Sequence, residues 1–505
     1  MMCQSSNHQV KYGAIISYFT IGFYIVAGLL YTPYLISRLG LSDYGIFTIS
    51  LSVISYFSID FGIGAAQTRF IARYRAEGNE QKIYDLLGIT CKLYLAIDLL
   101  IMAALCCLYF FSENIFVSLS AEELERFQIV LLITSCYIAL SFPMLPLNGI
   151  FLAYERIVAM QSFELFAKAF SIGALVTVLY MGYGLYAIVF INALIIWATQ
   201  VLKLIYLQRC THLHCNLYSR DKTMLKSLAS FSIWTTVATI ADKFFFPLIP
   251  FLLAAFSNTT EIALFAIVIT VEGYILTIAR AMNGLFLPKV TKMVVGQADG
   301  EEKTSLMIKV GRLQLYIIGM IITGLVVFGR DFFHLWLGDG FDKSYYAMLI
   351  IIFPCLFHLT AGIAEELIYA TNNVKYRSLI YVSCSIISIL TIVVLAPRWG
   401  AIGAAIGVCA GFIFAYNILA YFIYHKVLHL NIKLFLLKCH ASILPVFLLV
   451  GFMGYMAQTY LPTNGSMVYL GVKVLLWGLM GFLSLWFLSM NSGEKSILRS
   501  LICRK

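Results

Sequence analysis

Apolar residues fill most of this chain in long, uninterrupted runs that short polar connections separate. A helix needs about 20 apolar residues to cross the hydrocarbon core of a bilayer, and a spanning helix satisfies its backbone polar groups internally. The pattern therefore predicts an all-α integral membrane protein with about 14 transmembrane helices. The predicted spans are 13–37, 44–66, 87–111, 127–152, 159–181, 186–207, 228–254, 261–287, 313–329, 344–371, 376–395, 401–424, 441–461 and 467–489.

Two parts of the chain resemble each other at an almost constant offset. Residues 42–49 resemble 260–267, and Pro33 has a counterpart in Pro250. Further matches join 151–162 to 367–378 and 183–184 to 399–400. Spans 1–6 and 7–12 are therefore predicted to be parallel repeats, two six-helix lobes that face each other across a substrate cleft. The predicted domains are 1–210, 211–438 and, with the two extra spans, 439–505.

Positive charges predict the orientation of the chain in the membrane. If both termini are cytoplasmic, the cytoplasmic segments hold 24 Lys and Arg residues and the opposite segments hold five. Cytoplasmic loops carry an excess of these residues. We therefore expect a multi-pass protein with both termini in the cytoplasm.

Composition excludes several classes of protein. The chain is 61% hydrophobic and 12% charged, whereas soluble proteins are about 25% charged. The net charge of +10 has no soluble face on which to form a nucleic-acid site. The twelve cysteines are scattered and show no disulfide framework. The residues Cys210, His212, His214 and Cys215 are too crowded for a usual zinc spacing, so we expect no metal site.

Five charged residues lie deep within the predicted spans. Each costs at least about 2.5 kcal/mol at the bilayer centre, so deep charges are functional candidates. We predict that the basic members bind an anionic substrate. The basic members are Lys168, Lys243 and Arg280, and the acidic members are Asp242 and Glu272.

Internal neutralisation is the alternative explanation for these charges. Glu164 and Lys168 form an i,i+4 pair in the favourable order, and Asp242 adjoins Lys243. Shallower charges have simpler explanations. Lys92, Lys203 and Lys473 can extend to a membrane surface, and Glu365 and Glu366 lie close to the cytoplasmic end of their span.

No nucleotide-binding element occurs in the sequence, so we expect no cofactor and an ion gradient as the source of energy. A buried carboxylate can exchange H⁺ or bind Na⁺ as the lobes move. Glu272 is preferred as the coupling residue, because Lys243 should hold the neighbouring Asp242 ionised.

Three short segments resemble a known family. Residues 39–47, the run Asp60-Phe61-Gly62-Ile63-Gly64 and the stretch that begins at Arg69 are similar to the opening of polysaccharide-export flippases. These belong to the multidrug/oligosaccharidyl-lipid/polysaccharide (MOP) superfamily, and the similarity is greatest to O-antigen flippases of the Wzx type. Asp60, Gly62, Gly64 and Arg69 are assigned to this family motif or to gating.

The resemblance implies a V-shaped transporter of the bacterial inner membrane. It would move an undecaprenyl-pyrophosphate-linked oligosaccharide, the O-antigen repeat unit, from the cytoplasmic to the periplasmic leaflet. The resemblance also implies membrane lipids, an O-antigen polymerase and a chain-length regulator as partners. Relatives that carry the lipid-linked peptidoglycan precursor have basic residues in the first span, and this first span has none.

Two other functions compete with this one. A drug/cation antiporter of the same superfamily needs an acidic cavity, whereas the deep group includes three bases. An O-antigen polymerase or membrane glycosyltransferase needs a large periplasmic loop, and the longest such loops here are 112–126 and 330–343.

Overall fold

A computed structural model describes residues 6–211, 214–228, 236, 240, 246–371, 373–460 and 465–496. These residues are nearly all helical and include no strand. The helices are α1 Ser6–Phe57, α2 Ile63–Ala76, α3 Glu80–Phe110, α4 Ser112–Ile115, α5 Ala121–Ser141, α6 Leu147–Ala153, α7 Ile157–Tyr180, α8 Leu185–Thr211, α9 Leu248–Phe256, α10 Thr259–Val295, α11 Gly300–Leu337, α12 Asp342–Thr360, α13 Gly362–Ala370, α14 Val374–Gly411, α15 Ala420–Leu428, α16 Ile432–Phe435, α17 Leu444–Tyr460 and α18 Met467–Leu488. Two π-helical stretches, Phe412–Leu419 and Leu436–Ala441, precede α15 and follow α16.

Eleven helical stretches of the described residues are long and apolar enough to cross a membrane. Two of them, Ile16–Phe57 and Lys375–Leu428, have 42 and 54 residues, about twice what one crossing needs. Each contains a glycine with a positive φ, Gly40 (76°) and Gly400 (53°), which interrupts the helical backbone. These breaks fall between predicted spans 1 and 2 and between spans 11 and 12.

The all-helical membrane fold predicted from the sequence is confirmed. The count of fourteen stays a prediction, because most of predicted span 7, residues 228–254, lies outside the described residues. Predicted span 10 is not one continuous helix, since α12 ends at Thr360 and α13 begins at Gly362.

By its internal contacts the chain divides into two compact units, Met1–Ala263 and Leu264–Lys505. In the first unit, α2, α3, α6 and α8 enclose an apolar core that Met224 and Leu228 complete. The segment that carries these two residues is fixed to α3 by Asn216. Its backbone N–H donates to the Tyr84 carbonyl at 3.1 Å, and its side chain donates to Asp85 at 2.6 Å.

In the second unit, the buried Arg312 of α11 joins the chain that follows α18 to the core. Its Nε donates to Glu494 at 2.6 Å, and its terminal nitrogens donate to the carbonyls of Lys438 and Ser489 at 2.7 and 2.8 Å. The Tyr316 hydroxyl accepts a further bond at 2.6 Å. Arg312 and Glu494 are 6% and 5% exposed, so this is a buried ion pair with its hydrogen bonds satisfied.

Candidate functional site

Glu272 and Arg280 lie on the same helix of the second unit, α10. Glu272 is 4% exposed, and its carboxylate accepts a hydrogen bond from the Cys355 thiol of α12 at 3.9 Å. Arg280 is exposed and acts electrostatically on Glu272. The predicted coupling residue, Glu272, therefore lies on the same helix as a predicted substrate ligand, Arg280, and interacts with it electrostatically.

A histidine and a glutamate that the sequence did not single out as functional belong to the same cluster. His358 Nδ1 of α12 lies 3.7 Å from the Glu365 carboxylate of α13. The His358 ring packs on Tyr416 with 4.0 Å between ring centroids. Arg280 and Arg377 both act electrostatically on His358. The sequence predicts a structural role for Glu365, because it lies close to the end of its span. Its position beside His358 makes it a candidate site residue.

Arg377, a residue of α14, is the next member of this cluster. Its guanidinium donates to the Tyr381 hydroxyl at 3.1 Å. Arg377, Tyr381, Tyr424 and Glu365 line a narrow space that has no room for a water molecule. The cluster is therefore closely packed.

Lys168 occupies a different environment in the first unit. Its ammonium lies 4.2 Å from the centroid of the Tyr24 ring. The pairing of Lys168 with Glu164, which is the alternative to a substrate-binding role, is not formed, because Glu164 lies 3.4 Å from the buried Lys203 instead. Asn148 also accepts from Lys203, at 3.0 Å. Among the residues that the structure describes, no carboxylate lies within ion-pair distance of Lys168.

The family-like run at Asp60 forms the turn between α1 and α2. The Asp60 carboxylate accepts from the Gly62 N–H at 3.1 Å, and Gly62 has a φ of 68° that favours glycine. Gly64 lies close to this carboxylate, and Arg69 is exposed one turn further along α2. Asp242 and Lys243, the other predicted site residues, lie outside the described residues.

In the first unit, two hydroxyl groups donate to the same carboxylate. Glu123 of α5 accepts from Ser42 at 2.8 Å and also from Thr259. The two hydroxyls are 3.4 Å apart, and their residues are separated by 217 positions, which matches the offset of the predicted repeats. A Cβ at Gly45 would collide with the Thr259 carbonyl. We name Ser42, Gly45, Glu123 and Thr259 the carboxylate latch.

A family described as polysaccharide biosynthesis protein matches residues 13–294, more than half of the chain. The chain belongs to this family. No curated protein matches the sequence.

Solved structures of a flippase and of transporters share the fold of this chain. A structure described as "Lipid II flippase MurJ, inward closed conformation" has a TM-score of 0.71 and 15% identity, and the match covers 97% of this chain and 99% of that one. An inward-facing multidrug resistance MATE family transporter of the MOP superfamily has a TM-score of 0.64 and 13% identity, with 81% and 97% covered.

A third solved structure is a MOP superfamily transporter from Pyrococcus furiosus. Its TM-score is 0.57 with 13% identity, and the match covers 83% of this chain and 94% of that one. The chain therefore shares the fold of a flippase and of transporters. The fold predicted from the resemblance is confirmed.

Proposed function

We propose that this protein flips an undecaprenyl-pyrophosphate-linked oligosaccharide, an O-antigen repeat unit, by alternating access. Transfer would run from the cytoplasmic to the periplasmic leaflet of a bacterial inner membrane, with both termini in the cytoplasm. The polysaccharide biosynthesis family supports a saccharide as cargo, and likeness to a lipid II flippase supports a lipid-linked one. The O-antigen assignment rests on the sequence resemblance.

The observation that carries this proposal is the environment of Lys168. A lysine within a span costs about 2.5–3.5 kcal/mol at the centre of a membrane, which a partner must offset. Here the nearest acidic residue on the same helix face, Glu164, pairs with Lys203. The polar contact that the structure describes for the Lys168 ammonium is with the face of the Tyr24 ring. A pyrophosphate would supply the negative charge that Lys168 lacks.

Arg280 is the second proposed contact, and Lys243 the third. Arg280 is exposed on α10, so its guanidinium is accessible to a ligand. A guanidinium presents a planar fork that matches the geometry of a phosphate. Because three bases favour an anion, the proposal excludes a cationic drug as the principal cargo.

We further propose that an H⁺ or Na⁺ gradient drives transport through Glu272, with Asp242 as the second candidate. Glu272 is buried and accepts from a neutral thiol, so no described hydrogen bond neutralises its charge. Burial disfavours the charged form of a carboxylate, so binding a proton or a cation would stabilise Glu272 in this position. Transport with imposed pH or sodium gradients tests this, and a Glu272→Gln variant that responds as wild type does would contradict it.

Complementation of a flippase-null strain tests the function. Lys168→Gln should abolish export of full-length surface polysaccharide, whereas Lys168→Arg keeps the charge and should retain part of it. Lys92→Gln is the matched control, because Lys92 is an exposed lysine of α3 that donates to the Ser219 carbonyl. Full export by a normally expressed Lys168→Gln variant would refute the proposed contact, and drug resistance conferred by the wild type would favour an antiporter.

A further inference from the structure

An open apolar groove lies in the first unit, where the end of α1 and helices α3, α4 and α9 meet. It encloses about 1020 Å³, and its lining is almost entirely apolar. This volume is at the upper limit of the roughly 300–1,000 Å³ that ligand pockets usually occupy. Residues that define its two long walls are Tyr56, Ile97, Leu100, Ala104, Phe111 and Phe251.

The groove is longer than one leaflet of a membrane. Its α3 wall extends from Ile97 to Phe111, which is about 21 Å at 1.5 Å per residue. The polar residues Ser112, Glu113 and Asn114 follow at once, which places Phe111 at the membrane boundary. One leaflet contributes about 15 Å of hydrocarbon. With α3 along the membrane normal, the groove would extend about 6 Å past the midplane of the bilayer.

The wall opposite α3 is fixed by aromatic packing. Phe251 of α9 contacts the Tyr56 ring at a centroid distance of 5.7 Å and stacks on Phe116 at 6.1 Å. Phe116 is 1% exposed, so it anchors this wall in the core of the unit. A preformed groove favours an occupant because few side chains must become ordered when it binds.

We propose that this groove binds the polyprenyl chain of the lipid-linked substrate, an inference that rests on the proposed function. A phospholipid acyl chain begins at one surface and ends near the midplane, so it would leave the inner end of the groove unfilled. A polyprenyl chain is longer and branched, and it can cross the midplane and contact both walls. Within hydrocarbon, close packing rather than the hydrophobic effect selects between the two chains.

Neighbouring residues on α3 offer matched pairs of positions. Leu99 and Leu100 are 74% and 70% exposed, but only Leu100 lines the groove. Ala103 and Ala104 are both exposed, and only Ala104 lines it. In each pair, one residue contacts the groove and its neighbour faces the surrounding lipid, so the two positions can be compared directly.

Photocrosslinking of the full chain in liposomes tests the proposal. A benzophenone amino acid replaces Leu100 in one variant and Leu99 in the other. The liposomes contain phosphatidylethanolamine, phosphatidylglycerol and a small fraction of undecaprenyl phosphate, and mass spectrometry identifies each adduct. We expect the ratio of polyprenyl to phospholipid adducts to be about tenfold higher at position 100 than at 99, the factor given by 1.4 kcal/mol of preference.

Equal ratios at the two positions would overturn the proposal, and so would adducts at position 100 that follow the bulk lipid composition. A transport assay provides the second arm. Ala104→Phe should fill part of the groove and reduce flipping, whereas Ala103→Phe should not. If the ratio at position 100 is enriched but wild type flips no lipid-linked saccharide, the groove assignment stands and the proposed function fails. If wild type flips the saccharide without any enrichment, the function stands and the groove assignment fails.

Discussion

Replacing Glu494 with alanine would remove one member of the buried ion pair that joins the end of the chain to α11. Loss of one partner of such a pair costs about 3–5 kcal/mol, because the other charge stays buried. Arg312 would keep its bonds to the carbonyls of Lys438 and Ser489. We therefore expect the lower end of that range, about 3 kcal/mol.

Two further variants separate charge from packing at this site. Glu494→Gln keeps an oxygen acceptor and loses the charge, so it should cost about 2 kcal/mol. Replacing Arg312 and Glu494 together with apolar residues should cost less than Glu494→Ala alone, since no unpaired charge remains. Glu77→Ala is the control, because the Arg73–Glu77 pair is exposed and should contribute nothing measurable.

The pH dependence of stability gives an independent readout of the same pair. Burial alone would raise the pKa of Glu494, but hydrogen bonds from Arg312, Asn491 and Tyr316 hold the pKa below its ordinary value. A carboxyl with a lowered folded pKa stabilises the protein above its unfolded pKa of about 4.3. This contribution is lost as the pH falls through the folded pKa, and Glu494→Gln should lack that loss.

Reversible unfolding in mixed micelles measures these differences in the free energy of unfolding. A stabilising role for the ion pair would be ruled out if Glu494→Ala were no less stable than Glu77→Ala, or if wild type and Glu494→Gln lost stability equally in acid.

Three other predictions follow from described contacts. Gly45→Ala should lower transport at normal expression, because its Cβ would collide with the Thr259 carbonyl, whereas Gly22→Ala meets open space and should have no effect. Glu123→Ala removes the acceptor that Ser42 and Thr259 share, so the segment that precedes Thr259 should open more often and maleimide should label a cysteine at the buried Ala254 faster than in the parent protein; an unchanged rate would show that the carboxylate latch does not hold this segment. Glu365→Gln should destabilise the protein by about 1–3 kcal/mol because it removes the carboxylate beside His358, where Arg377 also acts, and adding Arg377→Gln should restore part of that loss. Urea unfolding of the single and double variants would show whether the second change rescues the first.

Hydropathy predicted the membrane fold because span length and apolar content are local properties of the sequence. The boundary between spans 1 and 2, for example, contains the helix break at Gly40. Pairing between helices is not local. The partner of Glu164 is 39 residues away at Lys203, and the partner of Arg312 is 182 residues away at Glu494. A favourable i,i+4 spacing therefore predicted the wrong partner for Glu164.

The candidate site could be predicted only in part, and for a similar reason. Lys168, Glu272 and Arg280 stood out because a charge in an apolar run is rare. His358 gave no such signal, since a single histidine in an apolar helix is uninformative until its neighbours are known. In the fold, its Nδ1 lies 3.7 Å from the Glu365 carboxylate and its ring packs against Tyr416. Only tertiary structure shows that these residues form one cluster.

Translocation in proteoliposomes measures whether this chain flips a saccharide linked to a polyprenyl pyrophosphate. An undecaprenyl-pyrophosphate-linked oligosaccharide is placed in the membrane, and a glycosidase outside the vesicles cleaves only the molecules that face it. We predict that wild type exposes the protected fraction to the enzyme under an ion gradient, that Lys168→Gln does so no faster than empty liposomes, and that Lys92→Gln matches wild type. Wild-type protein that leaves the protected fraction intact under both proton and sodium gradients would contradict the proposed function.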